Sequence, residues 1–359
     1  MTASRISGAL AALIFAAGCA GANDGAGTFS PQDGDAASRT AARPSARVFT
    51  RIYVANNQSS TVTVYAPHFV NGGGETLERT IRGGLNAPSS IAFDSSGHLF
   101  VANAGNVTKY SEIGSTPKAV VATITNGINH PSRVAVDQDD NLWVANSGGG
   151  SGSGSVTEYA PRTKTPKRTI TFGIGDPGAI AFSSYANIVA VANRRNDSVT
   201  CYDRTTGNRL RTITDGISHP SALLFDASGN LYVANTGTNA ITVYQPASNA
   251  VHFKMKAVAP RDLTIDDDGV MWVAAGDNTL RVYDLANGEL MGTVAEPFLA
   301  GVSHIVSGPV GYNWVISIGS AWMAAIVPRG GFRYKRTPTS SFAPTDRELK
   351  GPIAVAVGP

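Results

Sequence analysis

Charge, cysteine and helical periodicity are all scarce in this sequence, and each scarcity excludes something. Charged residues fill 15% of the 359 positions, against roughly 25% in ordinary soluble proteins. The formal net charge is +3 and no basic run occurs, so the electrostatic footprint of a nucleic-acid binder is missing. Only Cys19 and Cys201 carry thiols. Once Cys19 is removed or modified, no intramolecular disulfide can form. After Cys19 no stretch reaches the ~18 apolar residues of a membrane-spanning helix, and no segment sustains the spacing of an amphipathic helix. Gly-x-Ser-x-Gly, His-Glu-x-x-His and Cys-x-x-Cys are absent, which removes the commonest hydrolase, zinc-protease and redox signatures. The glycine-rich stretch SGGGSGSGS at 147–155 has no lysine followed by serine or threonine, so it reads as a loop and not as a phosphate cradle.

The N-terminus reads as a targeting segment. MTASRISGALAALIFAAGCAG combines one positive charge, Arg5, an apolar run from Ile6 to Ala17, and small residues before Cys19. That order resembles a bacterial lipoprotein signal, cut before a cysteine that is then acylated, although Ala16 stands where leucine is usual. The alternative is an ordinary secretory signal cut nearby, for instance after Ala22. Residues 20–47, rich in Ala, Gly, Ser and Asp, read as a disordered tether. The expected organisation is therefore a signal peptide at 1–19, a tether at 20–47 and a folded domain at 48–359. The lipid on Cys19 would be the sole membrane attachment, and the folded part is expected to be a monomer.

What the sequence has in abundance is glycine (39 residues) and one recurring phrase. It appears as IYVAN, LFVAN, LWVAN, VAVAN, LYVAN, MWVAA and, more weakly, NWVIS, with valines at Val54, Val101, Val144, Val191, Val233, Val273 and Val315. A period of about 40 to 47 residues marks a propeller, a solenoid or an array. Each unit holds four short strand-like pieces: an alternating run after a proline (SALLFD, 221–226), the LYVAN phrase, a second alternating run (NAITVYQP, 239–246) and a looser one (RTITD, 211–215). Gly, Asn, Asp and Pro separate them, as in antiparallel hairpins. The first copy lacks the strand after proline, and GPIAVAVGP at 351–359 is such a strand with nothing after it. The fold expected is all-β: a seven-bladed β-propeller of four-stranded antiparallel blades, closed by the C-terminal strand completing the first blade.

The run HPSALLFDASGNLYVANTGTNAITVY (219–244) resembles the NHL repeat, a family whose units run proline, a short apolar strand, a Gly-Asn turn, LYVAD and NRIQVF. The resemblance implies the propeller fold and carries no catalytic residue with it. Asparagine stands where that family often has aspartate, and the arginine before the third strand is missing.

The repeated polar residues read mainly as structure. Asn56, Asn103, Asn146, Asn193 and Asn235 end the second strand, and Asp94, Asp137, Asp226 and Asp266 end the first, all as turn formers. Tyr65, Tyr110, Tyr159, Tyr202, Tyr244 and Tyr283 are expected to fill space between blades, and Cys201 to be a buried thiol. One position varies informatively. The residue before the repeat's proline is Ala87, His130, Asp176, His219 and Ala259, and GVSHIVS puts His304 at the matching place. Gathered at the channel mouth, His130, His219, His304 and Asp176 would form an open site for a divalent metal, zinc or calcium, with Asp176 as ligand or base. Duplication alone accounts equally well for His130 and His219. Two functions follow. The first is an exported, lipid-anchored module that binds a protein or small molecule. The alternative is a metal-dependent lyase or lactonase at the channel mouth, by analogy with propeller lactonases, the amidating lyase and streptogramin lyase.

Overall fold

The computed structural model describes residues 51–66, 76–111, 119–150, 154–266, 268–295, 297–307, 313–317, 322–326, 349–350 and 352–358. The signal peptide, the tether and Cys19 lie outside these residues. Each repeat folds as an up-and-down antiparallel sheet in chain order. The fifth, for example, consists of Pro220–Phe225, Leu231–Asn235, Ala240–Tyr244 and Phe253–Lys256. Burial explains the phrase. Every residue of Leu231–Asn235 is buried, because a second strand lies inside its sheet and both faces meet neighbouring sheets. The outermost strands alternate or are exposed, as in Arg209–Ile213.

The ring closes as the two ends of the repeat array require. Pro352–Gly358 pairs antiparallel with Arg51–Asn56, so the last strand is the innermost strand of the first sheet. The innermost strands Pro352–Gly358, Ser90–Phe93, Pro131–Val136, Pro177–Phe182, Pro220–Phe225, Asp262–Ile265 and Val302–Ser307 pack each on the next, and the last returns to the first.

The expectation of seven four-stranded blades is corrected. Six sheets are blades of four strands, and the weak last copy of the repeat forms a sheet of three, Val302–Ser307, Asn313–Ser317 and Trp322–Ile326, among the described residues. This copy departs furthest from the repeat in sequence. By register, Ser317 stands where five of the other second strands end in asparagine, Ala324 where five of the other third strands have threonine, and Ile326 where all six have tyrosine. The residues after Ile326 also lack the alternating phrase that forms an outer strand elsewhere.

Those three residue types turn out to be one device. In the fourth sheet, Asn193 Nδ2 donates to Thr200 Oγ1 at 3.0 Å, and Thr200 Oγ1 donates to the carbonyl of Gly173 at 3.1 Å. Asn193 Oδ1 accepts the Gly175 amide at 3.1 Å, and Tyr202 Oη donates to the Phe172 carbonyl at 2.6 Å. The first bond links two strands of this sheet, and the other three hold the turn that arrives from the third sheet's outer strand. The set recurs around Asn103, Thr108 and Tyr110, around Asn146, Thr157 and Tyr159, and around Asn235, Thr242 and Tyr244. Gly84, Gly127, Gly173 and Gly216 accept the threonine bond with φ between +69° and +78°. At Gly127 a Cβ would also meet Pro166 Cγ at 2.8 Å. The asparagines are thus buried clamps between sheets, more than simple turn formers. The tyrosines do fill the space between blades, as expected, and Cys201 is fully buried, which pushes its thiol pKa up.

Removing a clamp leaves buried polar groups unpaired, which costs about 1–3 kcal/mol per site, whereas losing one neutral hydrogen bond costs about 1 kcal/mol. Urea denaturation of Asn193→Ala is therefore expected to show a loss of about 2–3 kcal/mol, and that of Tyr202→Phe about 1 kcal/mol. An Asn193→Ala variant as stable as the parent would contradict the clamp.

Candidate functional site at the turns and centre of the ring

The variable position before the proline has a backbone explanation. Ala87, His130, Asp176, His219 and Ala259 have φ of 47°, 52°, 48°, 46° and 38°. Non-glycine residues are uncommon in this left-handed region, and Asp and His are among those enriched there. Each side chain is engaged locally. His130 Nδ1 lies 2.9 Å from Asn129 Oδ1, and its ring covers Gly149 so closely that a Cβ there would sit 2.8 Å from it. The His219 amide donates to Asp197 Oδ1 at 2.7 Å, and its ring Nδ1 is 3.6 Å from the same carboxylate. Asp176 pairs with Arg194 Nε at 3.3 Å.

His304 is not a member of this set, and its expected equivalence is corrected. Val302 pairs with Ser317, and His304 with Ile316, across a bulge. In the third sheet the same pattern pairs Pro131 with Asn146, and Arg133 with Ala145. Val302 is therefore the counterpart of the proline, and Gly301, with φ of 77°, is the counterpart of His130 and His219. Ile305, which follows the histidine, is thus not the proline's counterpart. Among the described residues no group of three or more His, Cys, Asp or Glu side chains is placed to hold a metal ion.

His304 instead belongs to a position inside the innermost strands, two residues after the proline. Its counterparts are Ser90, Arg133, Ala179, Ala222, Asp262 and Ala354. Arg133, Asp262 and His304 are the titratable ones. In ring order the third sheet stands far from the sixth and the last, yet the Arg133 charge acts on both Asp262 and His304. Arg133 Nε reaches only the Gly178 carbonyl, at 3.4 Å. Asp262 accepts the amides of Leu263 at 3.0 Å and Ile305 at 3.2 Å. His304 Nδ1 is buried without a hydrogen-bond partner among the described residues. Sequence reasoning missed Arg133 and Asp262. The signal was there, since charged residues in SRVAV and RDLTI stand where sister strands have serine or alanine.

The comparisons with known proteins bear on the fold. No family model matches the chain, and no curated protein matches it. Among solved structures, the WD40 beta propeller domain of Doa1 superposes with a TM-score of 0.61 at 10% identity, covering 74% of this chain and 86% of that one. A chain of a mitotic checkpoint complex superposes with a TM-score of 0.57 at 15% identity, covering 66% of this chain and 72% of that one. The chain is a β-propeller. At these identities the likeness establishes the propeller fold alone, and the NHL resemblance rests on the repeat phrase. The metal-dependent lyase or lactonase reading finds no support in the propeller's geometry or in its neighbours.

The propeller's central trio makes opposing contributions to stability. Burial pushes the Asp262 carboxyl up to about 6, against the pull of Arg133. Burial, aided by Arg133, pushes the His304 imidazole down to about 3. Between about pH 4 and 6 folded Asp262 keeps a proton that the unfolded chain has released, so its contribution falls as pH rises. Between about pH 6.5 and 3 the unfolded imidazole takes up a proton that folded His304 refuses, so its contribution falls as pH drops. The two slopes offset each other. Both side chains keep some accessible surface, so each is discounted to about 2 kcal/mol across its window. Melting curves of Asp262→Asn should lose stability toward acid relative to the parent, and those of His304→Gln should gain it between pH 6 and 4. Parallel profiles for the two variants would refute this arrangement.

Proposed function

We propose that this chain is an exported, lipid-anchored binding module whose partner docks on the turn face of the propeller bearing His130, Asp176 and His219. The observation that carries the reading is Phe172. It lies in the turn that leads to Asp176, its backbone carbonyl is clamped by Tyr202, and its side chain is 66% exposed. The Arg209 guanidinium lies 4.3 Å from its ring centroid. A large aromatic held outward on a rigid turn is the usual anchor of an interface, because little conformational freedom is lost on binding. Propellers offer such faces widely, and one solved neighbour belongs to a named multiprotein complex. Export and anchoring are supported by the apolar run and small residues before Cys19.

Two measurements test this. Cys19→Ser should abolish incorporation of labelled palmitate and move the protein from the membrane to the soluble fraction. A photo-crosslinking residue placed at Phe172 should give a discrete adduct in cells, weakened by Asp176→Lys, whereas the same probe at Leu290, exposed on the outer strand of the sixth sheet, should give none. Equal labelling at both positions would remove the case for this face.

A further inference from the structure

The second repeat departs from its sisters at three positions, and all three departures line one groove. The third, fifth and sixth sheets place Trp143, Tyr232 and Trp272 at the second residue of the repeated phrase, where the fourth has Ala190. Each donates a hydrogen bond to the aspartate that ends the first strand, Trp272 Nε1 to Asp266 at 2.7 Å for example. In the second sheet this residue is Phe100, which has no donor. Before the third-strand tyrosine, sister sheets carry Val64, Cys201, Val243 and Val282, all fully buried. The second sheet has Lys109, 8% exposed, and the third has Glu158, which Lys167 and Arg168 neutralise. The turn residue that is Asn141 or Asn230 elsewhere is His98 here.

The three residues converge on Asp94. Lys109 Nζ lies 3.2 Å from Asp94 Oδ2 and 4.8 Å from the Phe100 ring centroid, and His98 Nδ1 lies 2.9 Å from the same carboxylate oxygen. A buried lysine in place of valine costs stability, and duplication by itself would have kept the valine. The groove that these residues line, between the second and third sheets, has a volume of about 380 Å³. That is near the lower end of the roughly 300–1,000 Å³ typical of small-molecule sites. Buried Ile124 and Leu142 make its apolar floor, and Val121, 51% exposed, makes its rim. Arg162 and Lys164, both exposed, close the other side. Neither has a carboxylate within ion-pair reach among the described residues. Arg162 is held at φ of 65° in a turn fastened by Thr163.

We infer that this groove is a binding site for a small carboxylate with an apolar body, a medium-chain fatty acid by chemical class. The carboxylate meets Lys109, Arg162 and Lys164, and the chain lies over Phe100, Ile124 and Leu142. Asp94 holds the Lys109 ammonium in place, Asp140 on the groove wall is engaged by the amide and hydroxyl of Ser95, and the two surface cations leave the field net positive. The site lies away from the Phe172 turn, and the inference does not rest on export or anchoring.

Calorimetric titration of the full chain carrying Cys19→Ser with sodium octanoate tests it. Saturable binding to one site is expected, with at least tenfold weaker binding of octanol, which lacks the charge, and of acetate, which lacks the chain. Phe100→Trp with Lys109→Val writes the sixth sheet's arrangement into the second. It should abolish octanoate binding while leaving the melting temperature equal or higher, so misfolding cannot account for the loss. Arg162→Gln with Lys164→Gln, at exposed positions, should weaken binding about tenfold with an unchanged fold. Absence of saturable octanoate binding, equal binding of octanol, or binding undiminished in the Phe100→Trp and Lys109→Val variant would each overturn the proposal.

Discussion

The hydrogen bonds that tie four consecutive sheets, the second to the fifth, to the turns arriving from their neighbours are the constraint on which this propeller depends. Antiparallel pairing fixes the strands within a sheet but says nothing about how one sheet sits on the next. Apolar packing between sheets is non-directional and would tolerate sliding. The buried asparagine, threonine and tyrosine supply direction, since each must find a partner in a dry interface or lose free energy. Their acceptors are backbone carbonyls and their donor is a turn amide, so the angle between sheets becomes a property of the chain itself.

The same logic accounts for the left-handed residues. The turn that the clamp holds has to reverse direction before the innermost strand begins, and it does so through a glycine and then a second residue with positive φ. Histidine, aspartate and alanine all serve at that second place. Their variation reflects tolerance of one backbone conformation, and His130, Asp176 and His219 are each held against a local neighbour as a result. The ends of the chain obey the constraint differently. There the ring is shut by backbone pairing between Arg51–Asn56 and Pro352–Gly358, which leaves no open sheet edge at the join.

Departures from the repeat carry the functional information. Arg133, Asp262 and His304 break a position of serine and alanine at the centre, and His98, Phe100 and Lys109 break three positions around Asp94. Arg133, Asp262, His304 and Lys109 place charged or titratable groups where sister strands are neutral, and Phe100 withdraws the donor that sister strands give the aspartate. Phe172 is a departure of another kind, an apolar ring left outside on a turn that the fold has already made rigid.

Strand order, hairpin pairing and closure by the last strand were all legible in the sequence, because repeated phrases and two incomplete ends leave one way to bury every apolar face. The structural role of the asparagines and tyrosines was legible too, since residues that recur through most units serve what those units share. Tertiary structure decided what periodicity cannot express. It showed that the last repeat forms three strands among the described residues, that a bulge shifts His304 from the turn onto the strand, and that the Arg133 charge acts on Asp262 and His304 across the ring. It also brought Lys109 beside Arg162 and Lys164 across a groove. The physical reason is common to all of these: the repeat specifies local pairing, whereas contacts across the ring and between sheets depend on how many units close it and at what angle.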